Sequence, residues 1–149
     1  MGDTFDLLVA AARATAARGA RTGGAMAGVD GQAGPDPRVA ELVARVRDWA
    51  TALVVAESQG MAPLAAREVL RLPGDGLDGD ARALLTEAAR RATVAALDAT
   101  CELAAVAEAL RAAGVAALPY KGPALALDAF GDVAARQFAD LDIVVPADE

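Results

Sequence analysis

The sequence predicts an α+β protein that is mainly helical. Hydrophobic residues fill 55% of the 149 positions but aromatic residues only 3%, and alanine is the commonest apolar residue, which favours helices over strands. Apolar side chains recur every three or four residues through most of the chain. Only two short segments, around residues 115–120 and 141–145, predict strands. We therefore expect several helices followed by one strand-helix-strand unit.

The first part of the chain divides into a short helix, a linker and a longer helical region. Residues 1–18 form the first unit, in which Thr4 can cap a short helix that runs to about residue 18, and the Gly-rich stretch at residues 19–35 predicts a flexible linker. A helical region is then predicted for residues 36–113. It begins with Asp36 as the capping residue, because the proline that follows is well tolerated in the first turn of a helix.

Three helices are predicted within this region. The first is one continuous helix with apolar residues at three- and four-residue spacing, namely Val39, Leu42, Val43, Val46, Trp49 and Leu53. The second begins at Pro63 and ends before Pro73. The third is long, with Asp80 as its cap, and runs to about Ala113, where Gly114 stops it.

Residues 114–149 predict a strand, a short helix and a second strand. This order calls for a right-handed parallel crossover, and parallel sheets ordinarily contain more strands with both faces covered. A two-stranded sheet is only marginally stable by itself. We therefore interpret this segment as a partial core, and we expect the chain to be a truncated, N-terminal portion of a larger domain.

The second strand carries two acids, Asp140 and Asp142, among apolar and β-branched residues. A strand would place both carboxylates on one face, where their like charges repel unless a cation lies between them. Mg²⁺ fits this need, because it binds through one or two carboxylates together with substrate phosphates. The alternative is a pair of exposed acids that protects the edge of a sheet.

This acidic strand follows a Lys-Gly turn in a recognisable order. Lys121-Gly122, Phe130, Arg136 and then Asp140-Leu141-Asp142 resemble the pattern of an uncharacterised bacterial nucleotidyltransferase family within the DNA polymerase β-type nucleotidyltransferase superfamily. The segment at residues 49–64 also resembles the helical lead-in of that family, so the resemblance covers roughly residues 39–149.

The resemblance implies Mg²⁺-dependent transfer of a nucleoside monophosphate from an NTP to a hydroxyl group of a small-molecule or protein acceptor. Two metal ions would hold the triphosphate, with Asp140 and Asp142 as catalytic metal ligands. Gly122 would let the phosphates approach the backbone at a helix N-terminus. Lys121 and Arg136 would add positive charge to the nucleotide site, or would be a solvated lysine and a structural arginine paired with a nearby acid.

Two departures from the superfamily pattern affect the expected activity. Pro123 stands where the superfamily usually has serine, so a hydroxyl and a backbone N–H are lost. The superfamily also takes a third carboxylate from a later strand, which we do not find before Glu149. We expect this chain to be inactive alone. The alternative is a non-catalytic helical binding module that retains a remnant metal strand.

Charge and composition exclude several other functions. With 14 basic and 21 acidic residues the net charge is −7, which argues against a nucleic-acid partner. The absence of histidine excludes imidazole chemistry, and the single Cys101, expected to be a small buried residue, excludes an intrachain disulfide. Asp3 and Asp6 occupy the place where a signal peptide would be basic, and no apolar run is long enough for a membrane span. Cytoplasmic location is the expectation.

Overall fold

The computed structural model describes residues 2–22 and 36–147 of the chain. Its helices are α1 (Gly2–Thr22), α2 (Pro37–Val43), α3 (Trp49–Ser58), α4 (Ala62–Leu70), α5 (Gly79–Ala112) and α6 (Gly122–Phe130). Its strands are β1 (Leu118–Pro119) and β2 (Ile143–Val144), and two 3₁₀ turns lie at Gly74–Gly76 and Val133–Ala135. The mainly helical α+β fold is therefore confirmed.

Helix α1 is longer than the sequence indicates. It continues to Thr22, past the predicted end at residue 18 and into the segment interpreted as a linker. The rest of that predicted linker, residues 23–35, lies outside the described residues.

The predicted continuous helix from residue 37 to 53 is wrong, because the chain breaks into α2 and α3. The apolar spacing runs across the break, but Asp48 has extended backbone dihedrals and caps α3. Its carboxylate accepts hydrogen bonds from the Thr51 N–H at 3.0 Å and the Thr51 hydroxyl at 2.6 Å. A capping carboxylate of this kind competes with helix continuation.

The Asp48 cap predicts a specific pH dependence of stability. Its hydrogen bonds from the side chain and the backbone of Thr51 lower the pKa of Asp48 in the folded chain. A lowered pKa stabilises the fold above the ordinary aspartate pKa, and that contribution is lost as the pH falls through the folded value. Asp48→Asn keeps a capping side chain but cannot titrate. We expect its melting temperature to fall less between neutral and acidic pH than that of the parent. Equal losses in both proteins would contradict the assignment.

Helices α4 and α5 lie close to their predicted positions. The cap of α5 is Asp78 rather than the predicted Asp80, and its carboxylate accepts from the Ala81 N–H at 2.7 Å. At its other end, Gly114 follows α5 with a φ of 78°, a left-handed conformation that glycine adopts readily. Within the described part of the chain, no helix is long and apolar enough to cross a membrane.

Two hydrophobic clusters form the core, and α1 contributes to both. One face of α1 places Leu7 and Ala10 against α2, α4 and the start of α5. The neighbouring face places Leu8 and Ala11 against α3, α4 and α5. Trp49 packs at the edge of the first cluster, as its position in the apolar pattern predicts. Helix α1 is therefore an integral part of the core rather than an appendage.

The predicted parallel crossover is wrong, because β1 and β2 pair antiparallel. Leu118 lies opposite Val144, and Pro119 lies opposite Ile143. A parallel arrangement requires the connecting helix to cover a face of the sheet. Helix α6 instead packs against α1 and the turn at Val133–Ala135, so the chain returns beside β1 in the opposite direction. Both strands are also two residues long, shorter than the predicted segments.

Candidate active site

Gly122 brings the two halves of the sequence motif together. It begins α6 with a φ of 57°, and it is buried. A Cβ atom at this position would lie 3.4 Å from the carbonyl oxygen of Asp140 and 3.7 Å from Cδ2 of Leu141. The N-terminus of α6 therefore rests on the backbone of the Asp-x-Asp segment. A left-handed backbone at this contact favours glycine over any other residue.

Lys121 lies beside Asp142. The distance from Lys121 Nζ to Asp142 Oδ2 is 3.6 Å, and the ammonium group lies 5.5 Å from the centre of the Tyr120 ring. The antiparallel pairing makes this contact possible, because the Tyr120 N–H donates to the Asp142 carbonyl at 2.9 Å. Both charged side chains remain partly exposed, so the pair is open to exchange with solutes.

The N-terminus of α6 offers backbone donors to an anion. No side chain caps this helix, and Pro123 occupies its second position rather than the first. The first-turn N–H groups of a helix have no intrahelical partners, and they carry the positive end of the helix dipole. The substitution of proline for serine thus removes one donor but leaves the Gly122 and Ala124 N–H groups at the helix start.

The two acids differ in their surroundings. Asp142 is half-buried and precedes β2 directly, whereas Asp140 is exposed and lies outside the short strand. Their four carboxylate oxygens are ligands of the type that Mg²⁺ prefers. Among the described residues, no group of three or more Asp, Glu, His or Cys side chains is placed to hold a metal ion. Asp140 and Asp142 alone therefore do not make a complete set of metal ligands.

Arg136 is half-buried, and among the described residues it forms no ion pair with Asp132 or Asp140, the acids on either side of it in the sequence. Within residues 36–147, Asp132 instead pairs with Arg67 of α4, and Asp132 also accepts from the Ala134 N–H at 2.9 Å. This contact ties the segment before β2 to the helical core. The pair of Arg67 with Asp132 was not predicted from the sequence, although an aspartate directly after Gly131 is a familiar turn signal.

The structure thus brings together Gly122 and the Asp140 segment, the two parts of the motif that resembles nucleotidyltransferases. Residues 45–149 match a protein family described as uncharacterised nucleotidyltransferase. Because the match spans more than half of the chain, the chain belongs to this family. The matched residues include α3 to α6 and both strands, whereas α1 and α2 precede them. No curated protein and no solved structure matches the chain.

Proposed function

We propose that this site binds a nucleoside triphosphate together with Mg²⁺, for transfer of a nucleoside monophosphate to a hydroxyl group of a small-molecule or protein acceptor. Membership of the nucleotidyltransferase family supports the general activity. The observation that carries the proposal for these residues is the contact of Gly122 with the Asp140 carbonyl. This contact brings the uncapped N-terminus of α6 against the backbone of the segment that carries both acids, which supports a site where helix N–H groups would bind phosphate and the acids would bind metal.

Asp140 and Asp142 would hold the metal. When bound, Mg²⁺ neutralises the phosphates and stabilises the departing pyrophosphate. The chain's own groups have separate tasks in this proposal: the N–H groups at the start of α6 bind phosphate oxygens, and Gly122 keeps that approach open. Arg136, which precedes the acidic segment in the chain, would add positive charge to the nucleotide site. Among the described residues, no third acid is grouped with Asp140 and Asp142. Binding is therefore a more direct test of the site than catalytic turnover.

Lys121 is proposed to change partners when nucleotide binds. In the structure its ammonium group neutralises part of the charge of Asp142. A cation on Asp142 would repel this ammonium, whereas a triphosphate would attract it. Lys121 would therefore turn from the carboxylate to the phosphates. Before binding it would neutralise Asp142 in place of the metal ion, and after binding it would contact the phosphates.

The proposal is tested by calorimetric titration of NTPs into the full chain, with Mg²⁺ or with EDTA. We expect Mg²⁺-dependent binding that Asp142→Asn and Asp140→Asn each weaken by roughly tenfold or more, since disturbing even the outer partners of a metal site has effects of that size. The matched control is Asp128→Asn, which removes an exposed acid of α6 outside the site. Failure of the parent to bind any NTP in a metal-dependent way would overturn the proposal and leave the helical binding module.

Lys121→Ala separates the two roles of the lysine. Without nucleotide, we expect this variant to bind Mn²⁺, used as a probe for the metal site, more tightly than the parent because no ammonium competes for Asp142. With Mg²⁺ present, we expect it to bind NTP more weakly. Opposite changes in the two affinities support the exchange of partners. Changes of the same sign, or none, would show that Lys121 is only a surface partner of the acid.

A further inference from the structure

Helix α5 is longer than the core that it covers. Its buried residues lie on one face and all in the first part of the helix, namely Ala81, Leu85, Ala88 and Ala96. From Leu97 to Ala112 no residue of α5 is buried. The distal half of the helix is only partly covered on its inner face, where Ala107 and Arg111 line a cavity with Pro119 and Ile143.

A second stripe, apolar at its centre and charged at both ends, lies on the opposite face of α5. We call it the outer stripe, and it consists of Glu87, Arg90, Val94, Leu97, Cys101, Ala104, Glu108 and Arg111. These residues alternate at spacings of three and four, which is the repeat of helices that pair as coiled coils. Val94 is 47% exposed and Leu97 53%, and Cys101 and Ala104 are exposed too. The expectation of a buried Cys101 is therefore wrong.

Charged pairs close the outer stripe at both ends. Arg90 donates to Glu87 at 2.8 and 2.9 Å, and Arg111 donates to Glu108 at 3.0 and 2.6 Å. In both pairs the acid precedes the base along the chain. If a second identical helix runs in the opposite direction, this order is reversed, so the acid of one copy meets the base of the other.

The outer stripe is symmetric about position 99. An antiparallel copy centred there places Leu97 opposite Cys101, and Val94 opposite Ala104. The same register places Arg90 opposite Glu108 and Glu87 opposite Arg111. Each facing pair joins positions that are equivalent to a and d of a heptad. A parallel copy would instead set Arg90 against Arg90 and Glu108 against Glu108.

We propose that the outer stripe is a homodimer interface, in which a second copy of this chain binds antiparallel along α5. The interface is self-complementary, as a two-fold symmetric contact requires. Small side chains at Cys101 and Ala104 allow the two helices to approach closely. At each end of the interface, the Glu87–Arg90 pair of one copy meets the Glu108–Arg111 pair of the other. The apolar centre is short, so the dimer dissociates on dilution.

The test is sedimentation of the full chain across the micromolar range. We expect the apparent mass to rise from one chain of 15.0 kDa towards two as concentration increases. Val94→Glu should remain monomeric at every concentration. The matched control is Val54→Glu, the same substitution at a valine of α3 that is 64% exposed and lies outside the outer stripe. This variant should dimerise like the parent. Circular dichroism establishes that each variant is folded.

A charge exchange tests the register. Glu108→Arg places two arginines together in the antiparallel register, so it should abolish the dimer. The double variant Arg90→Glu/Glu108→Arg restores opposite charges across the interface, and it should dimerise again. A parent that is monomeric throughout, a dimer that survives Val94→Glu, or a double variant that stays monomeric would each overturn the proposal.

Discussion

Leu8→Ala is expected to lower the free energy of unfolding by about 2–5 kcal/mol, the usual cost of removing most of a buried leucine. Leu8 is only 2% exposed and belongs to the cluster that joins α1 to α3, α4 and α5. Its loss leaves a cavity between four helices that cannot all close around it. Because the free energy of unfolding of a domain is typically about 5–15 kcal/mol, this one substitution would remove a large fraction of the stability. Urea unfolding followed by circular dichroism measures the effect.

The matched control for this prediction is Leu127→Ala. Leu127 is 57% exposed on α6, so the same chemical change should shift stability by no more than about 0.5 kcal/mol. An equal effect of both substitutions would contradict the packing of α1 into the core. That packing is informative because α1 precedes the residues that define the family.

Gly122→Ala is expected to weaken Mg²⁺-dependent NTP binding at least as much as the loss of one acidic ligand. The φ of 57° costs any residue with a Cβ atom about 1–2 kcal/mol. The nearest atoms to the new Cβ are at ordinary contact distance, so backbone strain rather than collision drives the change. Relief of that strain moves the start of α6 away from Asp140. Calorimetric titration measures binding, and thermal melting measures the cost to stability.

Gly114→Ala is the control that separates strain from function. Gly114 has a φ of 78° and open space around its Cβ position, and its N–H donates within its own turn to the Arg111 carbonyl at 3.1 Å, so it carries a similar conformational cost outside the start of α6. We expect both variants to melt lower than the parent, and only Gly122→Ala to lose nucleotide affinity. Parallel losses of affinity would indicate a general effect of destabilisation.

Periodicity in the sequence predicted α4 and α5 well, because each buries one face under a regular apolar pattern. It failed between α2 and α3, where the pattern continues although Asp48 ends one helix and begins the next. Aspartate is a preferred helix-capping residue, so Asp48 could have indicated a new helix start. The apolar spacing that continues from Val39 to Leu53 outweighed this local indication. Strand direction depends on where α6 packs, which is a tertiary choice with no local signature.

The site was predictable as a set of residues rather than as a set of contacts. The order of Lys121-Gly122 and the acidic segment suggested their proximity, and Gly122 does lie against Asp140. The partner of Lys121 could not be foreseen, because it follows from the antiparallel register that sets Tyr120 across from Asp142. Metal binding at these acids stays a prediction until it is measured.

The antiparallel pairing of β1 and β2 also has a kinetic meaning. It joins the ends of the segment at residues 120–142 through the backbone bond from Tyr120 to Asp142, while Asp132 fastens the middle of that segment to α4. A two-residue ladder opens far more easily than a packed helix. We therefore expect amide hydrogen exchange to be fastest at the ladder and slower near Asp132, so that Asp142 can leave Lys121 by local opening without unfolding of the helical core.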